Sequence, residues 1–402
     1  MKRICNFLMK ILLKCVPVKK GRIVCTSFDG HYSDSPKALA LKIKELKPKA
    51  DIIWLADDQR LPEAEKYFKT ALVHSFKGRY YAATAQIRID NVYGDSATYV
   101  VPCSALANKK QRFARWLTVK KKQKLYTTWH GTPIKRMGRD QIGNCVTDFL
   151  CSNATMILDN QYTLDIMQHL TFDKMKMVLL GLPRNDALFL DDDAKKEIRE
   201  KLGLPVDKKI LLFAPSFRND GTDVAQKNIR RSGLDQLQQI DFEKLFASLQ
   251  NKFGGDWVFV CRFHYHVEAM VNWEELTNKY PGQILNGNTY DDMAEYLACT
   301  DILFTDVSSC SFDFTLTGKP CFLFFPDYQH YRDNERGFYC DINELPYPLS
   351  ITFTDLIHTI DAFDAAKYQS DLEKMYTQLG FVREMQAAEI ITRYILLENK
   401  LL

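Results

Sequence analysis

The residues most able to do chemistry cluster in Lys124–Asp140, KLYTTWHGTPIKRMGRD. Leu125–Trp129 is rich in aromatic and β-branched residues and reads as a short buried strand. His130-Gly131-Thr132-Pro133 then forms a turn that no strand or helix tolerates in its interior. A histidine at the carboxyl end of a strand, followed by glycine and proline, belongs in a crevice of a doubly wound sheet. A satisfied core histidine in a tight turn fits the same residues.

Three other strand ends carry polar residues. Ile210–Ala214 is followed by Pro215-Ser216-Phe217-Arg218. In the strand Trp257–His264, Arg262 and His264 are two apart, so the pleat points both to one face. Ile302–Asp306 is followed by Ser308 and Ser309, which open a helix. A serine pair there offers backbone N–H groups and hydroxyls to an anion, although a plain N-cap looks the same. Arg262 and Arg184 are placed to supply the charge a diphosphate needs. Polar residues at successive strand ends are how a doubly wound fold binds a nucleotide. There is no GxxxxGK(S/T), no GxGxxG after a strand and no HExxH, so P-loop, dinucleotide and zinc-protease chemistry find no support. Asp306 could face a metal, but nothing near it in sequence completes a site.

The elements that must hold these residues alternate. Gly21–Thr26, Ile52–Leu55 and Ile87–Asn91 read as strands, with a helix at Pro36–Lys47 and a short one around Ala64–Thr70. Met177–Leu180 is a strand running into GLPRND at Gly181–Asp186, and Asp191–Leu202 is a polar helix stopped by Gly203. Later come the helices Asp241–Phe253, Tyr290–Cys299 and Ser309–Thr317, the strand Cys321–Phe325 and a helical Asp371–Leu397. Such alternation means parallel sheets covered by helices on both faces. At 402 residues the chain is too long for one core, and a boundary falls near residues 185–205.

Net charge is only +4, but its distribution is uneven. Met1–Lys20 carries Lys2, Arg3, Lys10, Lys14, Lys19 and Lys20 and no acid, with Ile4, Leu8, Ile11, Leu12 and Cys15 on one arc. The lysines interrupt any run long enough to span a bilayer, so the pattern fits a basic amphipathic helix on an anionic membrane surface. A second basic run, Asn108–Lys124, interleaves Phe113, Trp116 and Leu117. Each base near an anionic leaflet is worth about 1 kcal/mol. No nucleic-acid motif accompanies the charge. The eleven cysteines include no CxxC pair, and several sit in apolar runs, which favours reduced core thiols in a cytosolic compartment.

HGTP with Lys135, then GLPRND, APSFR at Ala214–Arg218, RFH at Arg262–His264, TDVSSCSFD at Thr305–Asp313 and YRDNERGFYCD at Tyr331–Asp341 follow in order. Together with SFDGHYSDSPKA at Ser27–Ala38, they resemble the CDP-glycerol glycerophosphotransferases of teichoic-acid synthesis. Ser216 stands where threonine is commoner and Ser35 where asparagine is. The chain also lacks the long extra N-terminal region of the large polymerases. The resemblance implies an α/β, GT-B-like fold of two Rossmann-like doubly wound domains facing a central cleft. The expected division is a membrane-contacting helix over 1–20, an acceptor-side domain over 21–190, a donor-binding domain over 191–380 and a terminal helix over 381–402.

It also implies transfer of a polyol phosphate from CDP-glycerol or CDP-ribitol to a hydroxyl of a lipid-linked acceptor, with CMP released. The enzyme would work at the cytoplasmic membrane face, without cofactor or metal. His130 or His264 would be the catalytic base. The implied substrate contacts are Gly131, Thr132, Pro133, Ile134, Arg184, Pro215, Ser216, Arg262, Phe263, Ser308, Ser309 and Asp313. Two further readings stay open: a GT-B glycosyltransferase using a nucleotide sugar, and a non-catalytic membrane-docked binding protein.

Overall fold

Short apolar segments separated by glycine- and proline-bearing loops assemble into two parallel sheets, each in its own unit of the chain. The computed structural model describes residues 2–92, 120–140, 154–170, 175–216, 218–219, 229–230, 232–268, 270–383 and 385–402. Most of the second basic run, with Phe113, Trp116 and Leu117, lies outside them, as do Phe217, Cys103, Cys145 and Cys151.

The first unit comprises Met1–His130, Thr147–Asp186 and Phe381–Leu402. Its strands are β1 (Arg22–Cys25), β2 (Asp51–Ala56), β3 (Lys69–Leu72), β4 (Ile87–Asp90), β5 (Lys124–Thr127), β6 (Ala154–Leu158) and β7 (Lys176–Leu179). They form one sheet in the order β3-β2-β1-β4-β5-β6-β7, all pairs parallel. The order reverses beside β1, so the loops after β1 and β4 diverge and leave a crevice. Strands β1, β2, β4 and β6 are almost wholly buried because helices cover both faces. On one face, Ile23, Trp54 and Ile89 pack with Leu39, Ala40 and Ile43 of the helix Asp34–Leu46. The C-terminal helix Ala387–Glu398 joins that core through Ile391, Ile395 and Leu396. The single terminal helix expected over Asp371–Leu397 is in fact two, Ala365–Leu379 and Ala387–Glu398. Gly380 stops the first at φ +64°.

The second unit comprises Gly131–Val146 and Ala187–Gly380. Its sheet uses β8 (Lys209–Phe213), β11 (Trp257–Cys261), β12 (Ile284–Asn286), β13 (Ile302–Thr305), β14 (Cys321–Phe324) and β15 (Leu349–Ser350). A two-residue ribbon, β9 (Arg218–Asn219) with β10 (Ile229–Arg230), stands outside it. The order is β12-β11-β8-β13-β14-β15, again parallel, and it reverses between β8 and β13. Phe213, Phe259, Phe304 and Phe322 fill the interior. Cys25, Cys261, Cys299, Cys310 and Cys321 are buried free thiols.

Candidate functional site

In the first unit, the residues after β1, β4 and β5 meet at the reversal point. Asn91, just past β4, is the hub. Its carbonyl lies 3.0 Å from His130 Nδ1, and its Oδ1 accepts the Phe28 N–H at 3.1 Å. A carbonyl can only accept, so Nδ1 carries a proton, and whenever the ring is neutral the lone pair is on Nε2. The Trp129 ring lies against the imidazole at 4.0 Å and the Phe28 ring meets its edge at 5.8 Å. The β5 strand ends at Thr127, two residues earlier than its apolar run suggests. Trp129 takes φ +51°, a conformation costly for a non-glycine residue, and Gly131 takes φ +134°. These two bends carry the half-buried imidazole out of the strand. The loop after β1 is similarly contorted, with Phe28, Asp29 and Asp34 at positive φ. Gly30 fits there because an added Cβ would lie 2.6 Å from the Asp57 nitrogen.

The Arg184 guanidinium lies inside the first unit, 2.9 Å from Asp34 Oδ2, with both side chains nearly buried. Its N–H donates to Ser35 Oγ at 3.4 Å. The rest of GLPRND is scaffold as well: Asp186 accepts from the Ala387 and Ala388 N–H groups, at 2.8 and 2.9 Å, and caps the terminal helix.

In the second unit, the loops after β8 and β13 flank the reversal point. The Ser216 N–H donates to Asp306 Oδ1 at 2.9 Å, and Thr305 Oγ1 donates to the Ala214 carbonyl at 2.7 Å. The wholly buried Arg218 sits between two carboxylates, 2.8 Å from Asp306 and bidentate to Asp327 at 2.9 and 3.0 Å. It lies over the rings of Phe325 and Tyr331 at 5.0 and 4.9 Å. Asp306 is thus engaged by the Arg218 guanidinium and the Ser216 N–H. In the sequence Arg218 is one more polar residue after a strand end, and Asp327 carries no such signal.

The RFH motif follows a different geometry from the one its spacing suggests. Strand β11 stops at Cys261, so Arg262 and His264 lie in the loop after it rather than on one strand face. The Asn288 side chain replaces the ladder, accepting from Phe263 N–H at 2.9 Å and donating to its carbonyl at 2.7 Å. The Phe263 ring is buried against Phe213 and Trp273, so that residue anchors the motif. Arg262 clamps the next loop, donating to the carbonyls of Gly287, Tyr290 and Asp291 at 2.6, 2.6 and 2.8 Å and lying over Tyr296. Its guanidinium is engaged with that loop. His264 is half-buried and its carbonyl starts the short helix Tyr265–Glu268.

Ser308 and Ser309 are half-buried before the helix Cys310–Thr315, and Asp313 is buried one turn further on. Ser309 makes no side-chain cap, so its hydroxyl is not consumed by the helix. Thr132, Pro133 and Ile134 are buried, and the segment they open pairs with residues 337–339 of the same unit. The Tyr339 N–H donates to Ile134 O at 2.9 Å and Arg136 N–H to Gly337 O at 3.1 Å. Phe338, stacked on Tyr331 at 5.4 Å, fixes that partner.

A model of the CDP-glycerol:poly(glycerophosphate) glycerophosphotransferase family matches residues 8–397. The chain is 26% identical to a teichoic acid poly(glycerol phosphate) polymerase of Bacillus spizizenii, covering 96% of this chain and 94% of that one. It is 27% identical to a teichoic acid glycerol-phosphate transferase of Staphylococcus aureus, over 96% and 95% of the two chains. Against the poly(glycerol phosphate) polymerase of Bacillus subtilis the identity is 28%, over 88% of this chain but only 45% of that one, so this chain spans about half of that longer relative. Among solved structures, a variant of the wall teichoic acid polymerase TagF superposes with a TM-score of 0.77 at 25% identity, covering 99% of this chain and 96% of that one. The fold is α/β and GT-B-like. A TagF crystal soaked with CDPG gives a TM-score of 0.75 over 99% and 96% of the two chains at 24% identity.

Proposed function

Since this chain belongs to the CDP-glycerol:poly(glycerophosphate) glycerophosphotransferase family, we propose that it moves glycerol phosphate from CDP-glycerol to a hydroxyl of a membrane-linked acceptor in teichoic-acid synthesis. The observation that carries this reading is the position of the family's motif residues. SFDGHYSDSPKA follows β1 and His130 reaches the residue after β4 in the first sheet, while APSFR and TDVSSCSFD follow β8 and β13 in the second, beside the reversals where doubly wound folds take their ligands.

The acceptor oxygen attacks the β-phosphorus in line as its proton passes to His130 Nε2. The bond to the CMP oxygen breaks, and CMP leaves carrying that electron pair. The Ser308 and Ser309 hydroxyls and the His264 side chain meet the charge that develops on it. Asp313, buried in the helix that the serines precede, is proposed to bind a hydroxyl of the polyol or ribose. Arg262 and Phe263 hold His264 and the 287–291 loop, and Pro215 and Ser216 form the facing edge of the donor site. Among the described residues, no helix is long and apolar enough to cross a membrane. Attachment is proposed through the helix Lys2–Cys15, which presents Leu8, Ile11 and Leu12 to solvent.

A donor panel tests the reading. CDP-glycerol with a lipid-linked acceptor should release CMP, whereas CDP-ribitol and UDP-sugars should release far less nucleotide. UDP release, or no release from any donor, would defeat it.

A further inference from the structure

Among the described residues, Lys135 and Ser216 of the second unit keep three donor hydrogens that have no protein acceptor. Lys135 Nζ donates to Ser216 Oγ at 3.3 Å, and an ammonium has two more N–H groups. The Ser216 hydroxyl, having accepted, still has its own proton to give. Among the described residues, no carboxylate lies within ion-pair distance of Lys135. Arg336 is half-buried nearby and spends only Nε, on the Arg136 carbonyl at 3.0 Å. Both cations are held by the backbone, because residue 135 bridges residue 338 in antiparallel register. The neighbouring carboxylates of Asp306 and Asp327 are already committed to Arg218.

We propose that Lys135 and Arg336, with the Ser216 hydroxyl, form an anion pocket that takes the diphosphate of the nucleotide donor. This deepens the donor reading above and rests on it. A half-buried ammonium with no carboxylate at ion-pair distance is costly, and cationic neighbours raise that cost. Burial, then the charge of Arg336, pulls Lys135 down to about 8, with Arg218 adding and Asp306 opposing. The remaining neighbour, Cys310, is pushed up to about 11 by burial, so its thiol stays neutral through this range. An arriving diphosphate removes the penalty and uses all three idle donors. The sign follows: Lys135 is charged below about pH 8 and loses its proton above it. Donor affinity must therefore fall as pH rises through that value, while an arginine in its place stays charged.

Calorimetric titration of the full chain with CDP, cytidine and inorganic pyrophosphate tests this. Near neutral pH, Lys135→Met should weaken CDP and pyrophosphate at least about tenfold and leave cytidine unchanged, the scale of one lost charge-assisted contact. Taking the wild-type chain from about pH 7 to about pH 9.5 should weaken CDP roughly tenfold or more, and Lys135→Arg should flatten that dependence. Unchanged CDP affinity in Lys135→Met would overturn the proposal. So would a Lys135→Arg profile that falls like the wild type, a readout that survives if the methionine variant does not fold. If pyrophosphate binding depends on Lys135 but the donor panel yields no CMP, the pocket stands and the donor assignment falls.

Discussion

His130 is fixed by atoms of its own unit: the Asn91 carbonyl, the Trp129 ring and the edge of Phe28. The positive φ of Trp129 costs on the order of 1–3 kcal/mol, and burial of its indole offsets that strain. A histidine kept in one tautomer by a main-chain acceptor is suited to take a proton at Nε2. His130→Ala should therefore lower kcat by about 100- to 10,000-fold, the span of general-base catalysis, while the Kd for CDP-glycerol stays within a few-fold. Turnover within threefold of the wild type would remove the histidine from the chemistry. This residue was legible in the sequence because glycine and proline forbid the strand from continuing past it. The Arg218 bridge to Asp306 and Asp327 was not, because it joins side chains from three separate strand ends that only the sheet order brings together.

At the scale of elements, apolar runs identified most strands but not where each one stops. The β11 strand ends early because Asn288 takes over the hydrogen bonds of Phe263, a substitution of side chain for ladder that no periodicity reports. The helix Lys2–Cys15 shows the opposite case, in which the pattern is decisive. Leu13 packs inward while Leu8 and Leu12 are 54% and 67% exposed, so the apolar stripe has no cover among the described residues. Each leucine inserted into a lipid interface is worth roughly 1.5–3 kcal/mol, enough with the adjacent lysines for reversible attachment. A Leu8→Glu, Leu12→Glu double variant should stay folded, since neither side chain is buried, yet lose co-sedimentation with anionic vesicles. Equal recovery of variant and wild type in the vesicle pellet would disprove attachment through this face.

For the whole molecule, the chain order of the two units is not the order of a simple tandem. Residues Gly131–Val146 belong to the second unit although they directly follow His130, and Phe381–Leu402 return to the first. The first change of unit, between Asp186 and Ala187, lies just before the polar helix Asp192–Leu202. The return is not legible in the sequence, because the partner face of an amphipathic terminal helix is not written in its own residues. Ile391, Ile395 and Leu396 cover Leu39, Ala40 and Ile43, and the Phe381–Asn160 bridge and the Asp186 cap fix where that helix begins. The first unit's core therefore needs the last residues of the chain. Asp186→Ala should remove the cap at a cost of about 0.5–2 kcal/mol in denaturant unfolding and should speed proteolytic cleavage around residues 381–386. Deleting 381–402 should go further, exposing the Leu39–Ile43 face and abolishing cooperative unfolding of the first unit. If the truncated chain unfolds with the wild-type midpoint, that helix is an appendage and the first unit's core closes without it.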